Sequence, residues 1–237
     1  IEIKINNLKS GYDDVLVLRG VDIEVHRGEI TLLIGPNGAG KSTILKSIFS
    51  LADIKSGKIM FKGKNIANLK TNELIKLGIS FVPQGRQVFS SMSVLENLYM
   101  DAYTIKDKDD VQSKIHDVFR KFPVLERKQN DSAASLSGGQ QKILAIARAI
   151  IQNPHLLLMD EPSLGLSPKA MMEIFDIITE IKNEGVAILL VEQNAYQAVG
   201  ISDKTYILEN GKIALSGGKD ILKDSRVKEV YFGGRLE

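Results

Sequence analysis

The sequence contains no cysteine and no tryptophan, and its apolar runs are short. Without cysteine, the chain cannot form a disulfide framework or use thiolate chemistry. The runs VAILLV (186–191) and HLLLM (155–159) fall far short of the roughly 20 residues that a membrane-spanning helix needs. The 31 lysines and arginines nearly balance the 29 acids, which argues against a nucleic-acid partner. We expect a soluble chain that is still able to dock on a membrane partner.

Strand and helix patterns alternate in the second half of the chain, which indicates an α/β fold with a parallel sheet covered on both faces. Antiparallel patterns cluster at the N-terminus, and apolar residues recur at helical spacing from about Ser91 to Ala134. We therefore predict a single domain over residues 1–237. Its core spans 1–90 and 137–237, with an N-terminal antiparallel β subdomain, and a helical subdomain is inserted at 91–136.

Local patterns give four further predictions. The segment VLVLRGVDIEVHRGE is predicted to form two strands with a break near Gly20. Thr71 is predicted to cap a short helix that stops at Gly78. KDKDD (106–110) is predicted to be a solvated loop, and Asn210-Gly211 to be a hairpin turn.

The segment GPNGAGKST fits the phosphate-loop pattern G-x-x-x-x-G-K-[ST], and it lies between an apolar strand and a helix, as that pattern requires. Glycines let the backbone N–H groups turn inward toward phosphate oxygens, and the positive end of the helix favours an anion. We expect the lysine to reach the β- and γ-phosphates of ATP and the serine to bind Mg²⁺. The predicted nucleotide-binding residues are Gly35, Pro36, Asn37, Gly38, Ala39, Gly40, Lys41, Ser42 and Thr43.

Two acids end a second apolar strand, HLLLMDE (155–161). In a P-loop nucleotidase, Asp160 would hold the Mg²⁺ shell, and Glu161 would polarise the attacking water as general base. The fold class predicted from both segments is that of P-loop NTPases with a RecA-like core. At this point a kinase, a motor and a transporter subunit all remain open.

The segment LSGGQQ (136–141) resembles the signature of ATP-binding cassette (ABC) ATPases. In that family the motif opens a helix and presents its amides to the γ-phosphate held by a partner subunit, so two identical or related subunits enclose two ATP molecules. The resemblance assigns this role to Ser137, Gly138, Gly139 and Gln140.

The resemblance covers essentially the whole chain and implies roles for three more residues. Tyr12 would stack on adenine. Gln84 would contact Mg²⁺ and the attacking water. Gln193 stands where most ABC proteins have a histidine that contacts the γ-phosphate, and we expect it to position the phosphate without titrating. Ser167 replaces an aspartate found in many family members, which puts one contact between subunits in doubt.

Within the family, the sequence is similar to ATP-binding subunits of branched-chain amino acid transporters of the LivF type. The similar segments are 81–100, DEPSLGLSP (160–168), ILLVEQNAYQA (188–198), YILENGKIALSG (206–217) and VYFGG (230–234). The resemblance implies an ATPase at the inner face of the cell membrane, with a second ATPase subunit, membrane permeases and an external solute-binding protein as partners. A groove beside the helical insertion would receive a permease helix, where Phe89, Val94 and Leu95 could supply contacts or belong to the core.

Three alternative functions remain open at this stage. One is uptake of urea or short amides, which related subunits also carry out. The second is export of lipid or lipopolysaccharide. The third is a non-transport ABC ATPase acting on nucleic acid or ribosomes, although such proteins usually carry tandem cassettes or a long coiled coil, and this sequence shows neither.

Overall fold

The computed structural model describes residues 1–85, 88–102, 105 and 107–227, so the segment VYFGG (230–234) lies outside the described residues. The strands are β1 (Ile3–Tyr12), β2 (Val15–Val25), β3 (Ile30–Ile34), β4 (Asp53–Phe61), β5 (Lys64–Asn65), β6 (Ile79–Val82), β7 (Leu156–Asp160), β8 (Ala187–Val191), β9 (Lys204–Glu209) and β10 (Lys212–Gly217). The helices are α1 (Lys41–Ile48), α2 (Thr71–Lys76), α3 (Val94–Asp101), α4 (Lys108–Lys121), α5 (Pro123–Arg127), α6 (Gly138–Ile150), α7 (Pro168–Asn183) and α8 (Ala195–Ile201).

The central sheet has the strand order β10-β9-β3-β8-β7-β6 within the described residues. All of its neighbouring pairs are parallel except β9 with β10, which form the predicted hairpin through Asn210-Gly211. The carboxyl ends of β3, β7 and β8 therefore meet at one edge, where open α/β sheets bind their ligands. The predicted α/β fold with a parallel sheet is confirmed.

Successive residues of the central strands face two separate apolar cores, because side chains alternate across a strand. In β7, Leu157 and Met159 pack into one core with α6 and α7, whereas Leu156 and Leu158 pack into the other with α1 and the N-terminal sheet. Burial on both faces explains why these strands are continuous apolar runs instead of alternating patterns. Burial in two cores also fixes the positions of the strand ends, and therefore the positions of the polar residues that follow them.

The N-terminal sheet is antiparallel with the order β2-β1-β4-β5. The predicted break near Gly20 is wrong, because β2 runs continuously from Val15 to Val25. Gly20 has φ +103°, and the pairing with β1 shifts register between Leu8 and Lys9, opposite this glycine. The glycine thus makes a bulge that keeps the strand intact.

Two of the predicted local features also differ from the structure. Lys70, and not Thr71, is the residue before α2, and its backbone N–H donates to Glu73 Oε2 at 2.9 Å. The predicted loop at KDKDD is wrong in part, since Asp107 caps α4 by accepting from the Asp109 N–H at 2.9 Å. Acids in the first turn of α4 stabilise it through the helix dipole.

Helices α3, α4 and α5 fall between β6 and α6, within the range predicted for the helical insertion. The division of the chain into a core and an insertion stays a prediction. None of the helices in the described ranges is both long and apolar enough to cross a membrane.

Candidate nucleotide site

The loop between β3 and α1 has a backbone that only glycine adopts easily. Gly35 has φ +150°, and a Cβ added there would lie 2.1 Å from the Leu208 carbonyl oxygen on β9. Gly38 has φ +80°, in the left-handed region. Within the described residues, no side chain caps the N-terminus of α1, and its first turn contains no acid. The positive end of the helix is thus left available for an anion.

Lys41 folds back over this loop. Its Nζ donates to the carbonyl oxygens of Gly35 at 2.7 Å and Pro36 at 3.1 Å, and the residue is 5% exposed. Burial lowers the pKa of Lys41, while the charges of Glu161 and Asp160 act in the opposite direction. The ammonium is therefore held at the rim of the loop, where it can exchange carbonyl contacts for phosphate oxygens.

Ser42 and Asp160 meet although 118 residues separate them. The Ser42 hydroxyl donates to Asp160 Oδ1 at 2.8 Å. Asp160 ends β7 and is 2% exposed. Burial raises the pKa of Asp160, while the hydrogen bond from Ser42 and nearby lysine charges lower it. Two of the three predicted Mg²⁺ ligands, Ser42 and Asp160, therefore lie together where the phosphate loop enters α1.

Glu161 and Gln84 form the second long-range contact, in which Gln84 Nε2 donates to Glu161 Oε2 at 2.8 Å. Glu161 has φ +48°, a left-handed conformation that costs a non-glycine residue on the order of 1–3 kcal/mol. Its backbone N–H donates to the Val191 carbonyl at 2.9 Å, and the residue is 9% exposed. Such strain is typical of sites where the surrounding structure dictates the backbone.

Lys41, Ser42, Gln84 and Glu161 line a cavity of about 500 Å³, a size within the usual range of ligand pockets. The other predicted phosphate-loop and Mg²⁺ residues Gly35, Pro36, Ala39 and Asp160 are not among the residues that line it. The residues lining it are Val17, Asn37, Gly38, Gly40, Lys41, Ser42, Thr43, Gln84, Glu161, Leu164 and Gln193. Three predicted catalytic side chains, from the ends of β6, β7 and β8, thus join the phosphate loop around one space.

Tyr12 is not among the residues that line this cavity. It ends β1, is 37% exposed, and its ring centroid lies 5.9 Å from Lys46 Nζ on α1. Val17 on β2 instead forms an apolar part of the wall. The stacking of adenine on Tyr12 stays a prediction, and Val17 is an apolar contact that the sequence patterns did not reveal.

The signature segment lies at the start of α6, also outside the cavity lining. Ser137 caps the helix by accepting from the Gln140 N–H at 3.3 Å, and Gln140 Oε1 accepts from the Ser137 N–H at 3.0 Å. Ser137 and Gly138 are exposed. The helix begins at the predicted residue, and none of the signature residues lines the cavity of its own chain.

Two buried charged residues near the cavity were not among the site residues predicted from the sequence. Glu192, 1% exposed, accepts hydrogen bonds from Ser163, and Lys142, 7% exposed, donates to the Gly85 carbonyl at 2.9 Å. A signal existed for each of them. Glu192 directly follows a buried strand, and Lys142 shares the apolar face of α6 with Ala145 and Ile146.

The three residues suggested for contact with a permease helix differ in how far they are buried. Val94 is fully buried and packs in the core. Leu95 is partly buried against the same cluster. Phe89 is 42% exposed, and the Arg148 guanidinium lies 4.5 Å from its ring centroid. Of the three, Phe89 is the one still available to a partner.

A phosphate loop that joins β3 to α1, with acids at the end of β7, defines the class of P-loop ATPases. The family model for ABC transporters matches residues 18–164. The chain therefore belongs to the ABC transporter family, in which it is an ATP-binding and ATP-hydrolysing protein.

Relatives and solved structures match nearly the whole chain. The high-affinity branched-chain amino acid transport ATP-binding protein BraG of Pseudomonas aeruginosa is 43% identical over 94% of this chain and 96% of its own length. A probable branched-chain amino acid transport protein, LivF of Archaeoglobus fulgidus, is 39% identical over 95% and 96%. The lipopolysaccharide export protein LptB of Haemophilus influenzae is 33% identical over 98% and 97%. A crystal structure of an ABC transporter cassette in its ADP conformation has a TM-score of 0.89 at 31% identity, covering 98% of both chains.

Proposed function

We propose that this chain is the ATP-hydrolysing subunit of an importer for branched-chain amino acids. The observation that carries the proposal is the 43% identity to BraG over nearly the full length of both chains. LptB, whose name assigns it to lipopolysaccharide export, has the lower identity of 33%. The difference between the two identities favours an importer over an exporter. In this proposal the chain works at the inner face of the cell membrane with permease subunits and an external solute-binding protein.

The proposed reaction is ATP + H₂O → ADP + phosphate. Lys41 and the loop amides bind the β- and γ-phosphates and stabilise charge on the transferring group. Glu161 orients the attacking water or takes its proton. Gln84, already bonded to Glu161, fixes the direction of that carboxylate.

Mg²⁺ fits the residues that meet beneath the loop. Hydroxyl, carboxylate and amide oxygens suit Mg²⁺, which is commonly held by one or two carboxylates together with substrate phosphates. No cluster of three or more acid, histidine or cysteine side chains able to hold a metal occurs among the described residues. Ser42, Asp160 and Gln84 would hold the ion, which would neutralise phosphate charge.

We further propose that the site is completed by a second, identical or related subunit. Ser137, Gly138, Gly139 and Gln140 do not line the cavity of their own chain. Their helix begins at an exposed end, and a helix N-terminus attracts phosphate. From a partner subunit, this end would approach the γ-phosphate.

The decisive experiment is to purify the native complex through a tag on this chain and to identify its membrane subunits. ATPase activity in proteoliposomes would then be measured with solute-binding protein loaded with leucine, isoleucine, valine or urea. We expect stimulation by the branched-chain amino acids. Stimulation by urea alone, recovery with lipopolysaccharide-export subunits, or recovery with ribosomes and no permease would each contradict the proposed function.

Gly138→Asp tests the contribution in trans. A Cβ on Gly138 would meet only Leu166 Cδ2, at 4.0 Å, so the variant should fold. A negative charge at this helix end opposes phosphate by about 1–2 kcal/mol, which predicts a roughly 5- to 30-fold slower turnover. ATP binding to the isolated chain should not change. Gly138→Ala is the matched control, and normal turnover by Gly138→Asp would remove α6 from the site.

Gln193→Ala tests the proposed contact with the γ-phosphate. The residue is exposed at the cavity, and its amide can donate to a phosphate oxygen. Loss of one such bond predicts a roughly tenfold fall in turnover. Because glutamine does not titrate, Gln193→His should add a step near pH 6–7 to the pH–rate profile. Normal hydrolysis by Gln193→Ala would show that this side chain does not sense the γ-phosphate.

A further inference from the structure

The Glu192 carboxylate lies beside the nucleotide cavity without lining it. The residue follows β8 directly and is 1% exposed. Ser163 donates to it twice, from its backbone N–H to Oε1 at 2.9 Å and from its hydroxyl to Oε2 at 2.8 Å. The Gln193 N–H donates to Oε2 at 3.3 Å. A carboxylate tolerates such burial because donors satisfy its oxygens.

These hydrogen bonds connect two loops that both reach the cavity. Ser163 lies two residues beyond Glu161 in the loop that leaves β7, and Gln193 is the second residue of the loop that leaves β8. Glu161 and Gln193 both line the cavity. Glu192 therefore sets the distance between the proposed base and the proposed γ-phosphate contact.

The backbone conformation of Glu161 depends on hydrogen bonds from neighbouring segments. Its φ of +48° is unfavourable for a glutamate and persists only where neighbouring contacts dictate it. On one side, the Glu161 N–H is bonded to the Val191 carbonyl at 2.9 Å. On the other side, Ser163 is bonded to Glu192. Both anchors belong to the end of β8, so Glu161 is held between two consecutive residues of one strand end.

A buried cation completes this arrangement. Lys142 on α6 interacts electrostatically with Glu192. Its Nζ donates to the Gly85 carbonyl at 2.9 Å, next to Gln84, which donates to Glu161. The Glu161 carboxylate is thus bonded to Gln84 after β6 and its backbone N–H to Val191 of β8. Lys142 of α6 reaches it only through Gly85, next to Gln84.

We propose that Glu192 is a positioning residue for ATP hydrolysis. Through Ser163 it holds the Glu161 backbone in its strained conformation, and through the Gln193 N–H it fixes the facing loop. It contacts neither the nucleotide nor the attacking water. The inference rests on the proposed role of Glu161 as general base.

Glu192→Gln tests this inference with little change of shape. The amide Nε2 cannot accept a hydrogen bond, so at least one of the three donors loses its acceptor. Misplacement of a catalytic group by a fraction of an ångström to 1 Å predicts a roughly ten- to hundredfold fall in kcat. KM and the Kd for ATP should stay within about twofold, because the phosphate loop is unaltered. Activity would be measured on the purified complex in proteoliposomes, with exposed Glu180→Gln on α7 as the matched control.

Ser163→Ala separates positioning from general stability. It removes only the hydroxyl contact, so kcat should fall while KM stays unchanged. Because both changes weaken the same Ser163–Glu192 pair, the fall in kcat for the double variant Glu192→Gln/Ser163→Ala should be smaller than the product of the two single falls. A kcat within twofold of the parent for Glu192→Gln would overturn the inference. A parallel loss of kcat, ATP affinity and thermal stability would also overturn it, since that result describes a structural role only.

Two further comparisons make the outcome unambiguous. If Glu192→Gln does not fold, Ser163→Ala alone decides, and a normal kcat for it overturns the inference. Glu161→Gln is measured in parallel. Normal hydrolysis by Glu161→Gln would refute the proposed base itself, whereas an inactive Glu161→Gln beside a normal Glu192→Gln would refute only the positioning role.

Discussion

Glu161→Gln is expected to bind ATP normally and to lose turnover by ~10²–10⁴-fold, the usual contribution of a general base. The substitution removes a negative charge and a proton acceptor but keeps the shape of the side chain. Its amide oxygen can still accept the hydrogen bond from Gln84, which now measures 2.8 Å. Neither Lys41 nor the loop amides change, so the phosphates keep their ligands. ATP affinity would be measured on the isolated chain, and single-turnover hydrolysis on the complex.

The control for this variant is Glu180→Gln, the same chemical change on an exposed residue of α7. If Glu161→Gln hydrolysed ATP at a near-normal rate, Glu161 would not be the base. If ATP affinity fell in parallel with turnover, the variant would have disturbed the phosphate loop, and the assignment would fail for a different reason. Only a loss of turnover with intact binding agrees with the proposed role.

The sequence predicts the part of the fold that depends on local patterns. β7 and β8 are buried on both faces and appear in the sequence as continuous apolar runs. Gly78 follows α2 and Gly211 lies in the turn between β9 and β10, and both have the positive φ that glycine adopts easily. The misplaced cap of α2 and the helical start within KDKDD are errors of local detail, whereas the missed bulge involves a neighbour distant in sequence. Gly20 forms a bulge because β1 pairs along the whole of β2, and a strand pattern alone does not distinguish such a bulge from a break.

In the candidate site, too, the contiguous motif is predictable from the sequence, whereas the contacts between distant residues are not. The phosphate loop is contiguous, so its glycines and Lys41 can be identified from spacing. The contacts of Ser42 with Asp160 and of Gln84 with Glu161 cross 118 and 77 residues. The P-loop pattern assigned the first pair to Mg²⁺, and only the family resemblance added Gln84 to the site. The position of Glu192 directly after a buried strand marks it as a candidate, but its role depends on its contact with Ser163, 29 residues away.

The resulting site couples several strands and helices to one reaction. The end of β6 supplies Gln84, β7 supplies the acidic pair, β8 supplies Glu192 and Gln193, and α6 supplies Lys142. Each strand is buried in two cores, so the side chains at their ends cannot shift independently. A movement of α6, whose first turns carry the signature segment directly before Lys142, would therefore reach the Gln84 loop through the Lys142 contact with Gly85.

Lys41→Met is expected to abolish efficient hydrolysis while leaving the protein folded. Loss of a charged hydrogen bond to phosphate weakens ATP binding by about 1.5–3 kcal/mol, or roughly 10- to 100-fold. Loss of the same charge from the transferring phosphoryl group reduces turnover by roughly 10²-fold more. Together, kcat/KM should fall by about 10³-fold or more. Nucleotide titration of the isolated chain and steady-state kinetics of the complex separate the two contributions.

The free energy of unfolding should respond differently, because the lysine is buried and bonded to loop carbonyls. Lys41 is 5% exposed, and burial lowers its pKa, so the folded chain carries the cost of enclosing a charge. Methionine has a similar length, removes that cost and forfeits two hydrogen bonds to loop carbonyls. We expect the two effects to offset each other, so that the free energy of unfolding changes by no more than about 1 kcal/mol, or about 2–4 °C in Tm. Exposed Lys212→Met is the control, and normal ATP affinity in Lys41→Met would contradict the proposed phosphate contact.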